Sequence, residues 1–265
     1  MHTDYLGNAD LSDLTDNSNN TDTGRFSGIS TFQLQTKNAI HLFQGKKLEK
    51  GHSYGLGNVT YHLNTMFSES RNDCPFADYF LLHIEDTLYL LNESLDKKIA
   101  ILKSRVSDLP NGFSSKIATV EKPFNTNLDS QNPLTFQLGF WLLKYDDFVR
   151  MANTVAHIGL ITPKQKKEYI ETETKPFRSL MHLIRRYQPS GATRNDLAAK
   201  NQRAIIAAQK FADFEIPDDV LSGIHRSEYA PEIFTAPKIK PLSTIETDDI
   251  EPTHEDNSEP QTQEV

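Results

Sequence analysis

Only one cysteine, Cys74, occurs in the 265 residues, which excludes an intrachain disulfide and suggests a reducing compartment. Its simplest role is that of a small, partly buried side chain. No apolar run exceeds a few residues, so nothing reads as a membrane span. The opening MHTDYLGNADLSDLTD has neither a basic start nor an apolar stretch, and the expectation is a cytoplasmic protein without a signal peptide. Gly-Lys-Ser and Gly-Lys-Thr phosphate loops are missing, and Gly55-Leu-Gly57 lacks the third glycine of a dinucleotide loop. Nine scattered histidines, one cysteine and no His-Glu-x-x-His give a zinc site no support. The pairs Glu85-Asp86 and Asp146-Asp147 diverge by about 100° on a helix, so neither forms a ready-made acid/base dyad. His182-Leu-Ile-Arg185 has the His-x-x-Arg spacing of tyrosine recombinases, with Tyr229 as candidate nucleophile, but the following ArgTyrGlnProSerGly does not match that context. The expectation is therefore no enzyme, no cofactor, no metal and no small-molecule substrate.

Lysine and arginine are also absent from residues 1–24 and 241–265, which carry −5 and −8. The chain's formal charge of −8 thus leaves +5 for residues 25–240, and only this part bears on what a folded surface attracts. Residues 1–27 and 236–265 are polar, acidic and poor in large apolar side chains, and are expected to be disordered tails. Between them, 28–235 reads as one mainly helical domain.

Helical periodicity dominates that domain. Asn58 can cap a helix near 59–70. A second helix, near 75–107, carries Phe80, Ile84, Leu88, Leu91, Leu95, Ile99, Leu102 and Val106 at spacings of 4, 4, 3, 4, 4, 3 and 4, a near-heptad stripe. At roughly 45 Å it either spans a bundle or pairs with a second copy. ProAsnGly at 110–112 ends it, and a loop over 111–131 has room for a short strand around Lys116–Val120. Asn132-Pro133 and Thr162-Pro163 each combine a cap with a first-turn proline. The first opens a strongly apolar helix ending at Gly159, the second a helix that Pro176 should bend or divide. Thr193 can cap a last long helix through about Asp213, and a short turn near 218–222 stops at Gly223.

Against this background STFQLQT, residues 30–36, alternates polar and apolar residues and predicts a short N-terminal strand. Phe32 and Leu34 face one side; Thr31, Gln33 and Gln35 face the other. A lone strand leaves its ladder groups unpaired, and the same strand from a second copy, across a two-fold axis, would pair them. The resulting ribbon would offer Thr31, Gln33 and Gln35 as base-reading residues in a DNA major groove, where glutamine pairs bidentately with adenine. Lys37, at the next helix start, could meet phosphate. A plain edge strand with a solvated face fits the same pattern. From Thr162 to Lys210 eleven Lys or Arg face four acids, and Arg185, Arg186, Arg194 and Arg203 are the candidate phosphate contacts, a solvated helix face being the alternative.

The strings TFQLQTKNAIHLFQG, DCPFADYFLLHIEDTL, NPLTFQLGFWLLKYDDFVRMANTVAHIGLI and RNDLAAKNQRAIIAAQKFADFEIPDDVL, in this order over roughly residues 29–233, resemble a family of integrating-conjugative-element proteins grouped with the AcaB-like transcriptional regulators. The resemblance implies a ribbon-helix-helix DNA-binding regulator acting as a homodimer or higher homo-oligomer on transfer-gene promoters, with double-stranded DNA as partner and Thr31, Gln33 and Gln35 on the ribbon. Here KKLEKGHSYGLGN separates the first helix from the second, a longer link than that module uses. The other reading is a non-catalytic scaffold or accessory protein of element transfer or maintenance.

Overall fold

The computed structural model describes residues 30–48 and 51–234, so the tails expected at 1–27 and 236–265 lie outside the described residues. The architecture is mainly helical, as the periodicity predicts. The alternating N-terminal segment forms strand β1 (Ser30–Leu34), and Thr36 caps helix α1 (Lys37–Gln44) by accepting a hydrogen bond from the Ala39 N–H.

The mate of β1 is not a second copy. Strand β4 (Phe124–Leu128) lies antiparallel to it within the same chain, with Phe32 opposite Thr126 and Ser30 opposite Leu128. The reason is legible in Phe124-Asn-Thr-Asn-Leu128, which alternates with the same period of two and so also divides into an inner and an outer face. This corrects the two-fold pairing: an intrachain ladder meets the need that motivated it. The strand expected around Lys116–Val120 does not form, and the 111–131 loop instead ends in β4.

The link after α1 is itself structured. Strands β2 (Lys46–Leu48) and β3 (Gly51–Ser53) pair antiparallel before helix α2 (Leu56–Arg71). Helix α2 starts ahead of the expected position, with Gly55 as its cap, and Asn58 reaches back to accept from the Gly55 N–H at 3.1 Å. Gly55 has no room for a side chain: a Cβ there would sit 2.3 Å from the Gly45 nitrogen and 2.4 Å from the Phe43 carbonyl oxygen. The backbones leaving α1 and entering α2 are pressed together at this point.

Helix α3 (Pro75–Ser107) buries its stripe against α2, α4 (Pro133–His157) and α5 (Pro163–Arg186), so the near-heptad repeat serves the bundle core. Trp141 of α4 marks its centre, stacked 4.5 Å from the Phe177 ring and 5.3 Å from the Tyr145 ring. Pro176 does not divide α5, which runs on to Arg186. The long helix expected from Thr193 is divided instead. Helix α6 (Arg194–Ala198) stops before Lys200, whose φ of +50° leaves the helical region, and Asn201 caps α7 (Gln202–Lys210). A last short helix, α8 (Asp218–Ser222), ends at Gly223 with φ +80°.

A buried ionic cluster ties the C-terminal part of the body to α3. The fully buried Asp78 accepts from Arg194 Nη2 at 2.6 Å, from Arg226 Nε at 2.9 Å and from the Ser70 hydroxyl. Arg194 also donates to Asp73 and to the carbonyls of Val220 and Leu221, and Arg226 to the carbonyl of Pro231.

Candidate nucleic-acid interface

The β1–β4 ribbon has two different faces because both strands alternate. Phe32, Leu34 and Leu128 point inward and are buried. Gly139 of α4 makes room for them: a Cβ there would lie 2.7 Å from the Phe32 ring and 3.2 Å from Leu128. Thr31, Gln33, Asn125 and Asn127 form the outer face, all exposed. Thr31 stands opposite Asn127 and Gln33 opposite Asn125. Thr31 Oγ1 donates to Asn127 Oδ1, and Gln33 Nε2 donates to Asn125 Oδ1, each at 3.3 Å. Both asparagine NH2 groups and the Gln33 carbonyl oxygen remain for an outside partner, and each engaged amide oxygen keeps a second lone pair.

Gln35 lies past the end of the ladder and is half-buried. Its side-chain oxygen accepts from the Val120 N–H at 3.3 Å, which ties it to the loop leading into β4. Thr31 and Gln33 are thus brought together on the ribbon, while Gln35 sits at its margin. Asn125 and Asn127 were missed by sequence reasoning. The signal was the alternation of FNTNL, hidden inside a polar loop.

Each strand runs into a helix, and each junction is hydrogen-bonded to a helix other than the one it opens. At the β1–α1 junction, Asp146 of α4 accepts from the backbone N–H groups of Gln35 and Thr36, both at 2.8 Å, and from the Thr36 hydroxyl at 2.6 Å. At the β4–α4 junction, Asn132 donates to the Leu63 carbonyl of α2 at 2.9 Å, and Asn64 of α2 accepts from the Ser130 hydroxyl and the Gln131 N–H.

The cationic candidates separate by environment. Lys37 is exposed at the first position of α1, beside the ribbon. At the other end of α1, about 12 Å along its axis, a cleft of about 290 Å³ is lined by Lys46, Lys47, His52, Tyr54 and Arg185 among others, and among the described residues no acidic side chain lines it. Arg185 is exposed and lies over the Tyr54 ring at 5.5 Å, while His182 meets the same ring edge-on. His182 and Arg185 thus flank a tyrosine ring. Burial and the Arg185 charge lower the pKa of nearby His62, against the opposing effect of hydrogen bonding to the Tyr187 backbone. Arg186 is also exposed, paired with Asp213 at 3.1 Å and over the Phe214 ring. Arg203 is exposed on α7. Arg194 differs: its donors are taken up by Asp73, Asp78 and two carbonyls. Burial alone would pull its pKa down, but the hydrogen bonds to Asp78 and Asp73 outweigh that and raise it. Its place is structural, which takes it out of the phosphate-contacting set.

No group of three or more His, Cys, Asp or Glu among the described residues is arranged to hold a metal ion. No described helix is long and apolar enough to cross a membrane.

A family described as transcriptional regulator AcaB matches residues 22–234. Among functionally curated proteins, none matches the sequence. The crystal structure of selenomethionine-containing AcaB from uropathogenic E. coli superposes with a TM-score of 0.52 at 14% sequence identity, covering 76% of this chain and 97% of that one. At that identity the likeness speaks for the fold.

Proposed function

The chain belongs to the AcaB family of transcriptional regulators, and from that premise we propose that it binds double-stranded DNA in the cytoplasm to control transfer genes of a conjugative element. The observation that carries this reading is the exposed outer face of the β1–β4 ribbon, where Thr31 and Gln33 stand free of the core on a two-stranded antiparallel support. Such a ribbon fits a B-DNA major groove, where glutamine pairs with adenine and threonine contacts the thymine methyl group. Gln35 contributes from the ribbon's margin. Lys37, Arg185, Arg186 and Arg203 supply the backbone contacts, which set affinity and its salt dependence but carry no sequence information. A homodimer would present two such ribbons to a repeated operator.

Mobility-shift titration of the chain on element promoter DNA, across a range of salt, tests the proposal. Steep loss of affinity with salt is expected. Gln33→Ala with Gln35→Ala should reduce sequence preference more than it reduces affinity for random duplex. Equal affinity for promoter and random DNA at modest salt would refute base reading and favour the accessory-protein alternative.

A further inference from the structure

We infer that the DNA-reading head is completed within a single chain, with Asn125 and Asn127 of β4 acting as base-contacting residues beside Thr31 and Gln33. The inference rests on the DNA-binding reading above and extends it to which residues read and what kind of site they take.

Three observations carry it. First, the pairing register sets Asn125 and Asn127 directly opposite Gln33 and Thr31, so all four side chains leave the same exposed face. A groove that admits one strand's outer residues at this ribbon meets the other's as well. Second, the cross-strand bonds use the asparagine oxygens as acceptors and do not engage their NH2 groups, on side chains that are themselves exposed. An unengaged NH2 beside a carbonyl with a spare lone pair is the donor–acceptor pair that matches adenine N7 and N6 in the major groove. Third, Asp146 of α4 holds the β1–α1 junction, while Asn132 and Asn64 join the β4–α4 junction to α2, so both strand exits are fastened to the same helical body. Strand β4 occupies the place a second copy would otherwise take.

The two halves are not alike. One offers Thr and Gln, the other Asn and Asn. The site under one ribbon is therefore a short, asymmetric, adenine-containing stretch, not an inverted repeat centred on the ribbon.

The test is selection of bound duplexes from a randomised pool by the full chain, followed by sequencing, for the parent and for Gln33→Ala, Asn125→Ala, Asn127→Ala and Asn125→Asp. Each alanine variant should relax preference at its own base position by roughly 5- to 150-fold, as expected for one bidentate contact. Asn125→Asp retains the acceptor for Gln33 Nε2 but has no NH2. If Asn125 reads directly, this variant should exchange an adenine preference for cytosine, whose N4 amine donates to a carboxylate. If Asn125 merely positions Gln33, Asn125→Asp would keep the parent's motif, and the inference fails while DNA binding stands. An unchanged motif in both asparagine-to-alanine variants, with a changed motif in Gln33→Ala, overturns it in the same way. A parent chain that enriches no sequence overturns both this inference and the DNA-binding reading.

Discussion

Replacing Asp78 by alanine should destabilise the body by about 3–5 kcal/mol, the range for breaking a buried ion pair by removing one partner. The carboxylate is fully buried and serves two guanidinium groups and the Ser70 hydroxyl. Its loss does not orphan both arginines equally. Arg194 keeps Asp73 at 2.6 Å and two carbonyls, so its charge stays compensated. Arg226 keeps only neutral acceptors, the hydroxyl and carbonyl of Ser70 and the Pro231 carbonyl, so most of the cost falls there. Asp78→Asn preserves volume and should cost nearly as much, because its NH2 would face guanidinium donors. Against a total stability of about 5–15 kcal/mol, either change is large. Urea denaturation gives the difference, and hydrogen exchange should show α8 and the segment through Pro231 opening ahead of the helical core. A cost below about 1 kcal/mol for both variants would refute the assignment of the cluster as the fastening of this segment.

Arg194→Ala should lower stability with little change in DNA affinity at a temperature where the variant is folded, whereas Arg185→Ala should leave stability nearly unchanged and reduce the slope of log affinity against log salt by about 1. Gly139→Ala gains about 1 kcal/mol of helix propensity but places a methyl 2.7 Å from the Phe32 ring, an overpacking cost of about 1–3 kcal/mol. The net expectation is neutral to about 2 kcal/mol destabilising in urea denaturation, with reduced DNA preference as the ribbon is displaced. His62 has a lowered pKa in the fold, from burial first and Arg185 second. Between that value and the unfolded one of 6.5 the unfolded chain binds more protons, so stability falls as pH drops through this window. His62→Gln should flatten that dependence in melting curves at pH 7.5 and 5.5.

How much of this the sequence revealed depends on the range of the interactions concerned. Pro133 and Pro163 with their caps Asn132 and Thr162 are local signals, and the helices they open begin where those residues predict. The stripe of α3 is local too, although which partner buries it is not. What stayed hidden is non-local. Strand β4 lies far along the chain from β1, and nothing within FNTNL names its mate. Pro176 illustrates tertiary override: a local breaker sits inside α5, between the buried Thr174 and Phe177, and the helix continues because packing outweighs the lost hydrogen bond. Lys200 shows the reverse, since no glycine or proline announced the break between α6 and α7. On the ribbon, the outward placement of Thr31 and Gln33 and the position of Lys37 at the start of α1 were legible because alternation and a cap are short-range patterns. Arg194 was misjudged because arginine's charge says nothing about whether Asp73 and Asp78 already hold it.

A two-stranded ribbon of five residues per strand is marginal in water by itself. Here its stiffness comes from outside the ladder. Asp146 fixes the exit of β1 through two backbone N–H groups and a hydroxyl, while Asn132 and Asn64 fix the exit of β4 onto α2. Asp146 stands on α4, which follows β4, yet holds the exit of β1, and the exit of β4 is fastened to α2, so a shift of either strand would strain hydrogen bonds to a helix outside the ladder. Below them, Phe32 sits on Gly139, where the missing side chain lets the sheet approach α4 closely. The backbone that carries Thr31, Gln33, Asn125 and Asn127 is thus ordered by the fold, which under the proposed DNA-binding role would lower the ordering cost of contact at a small polar surface. The same rigidity makes register strict: a slip of one residue would turn Phe32 and Leu34 outward and bury the glutamine and asparagines, so the outer face and the apolar core specify each other.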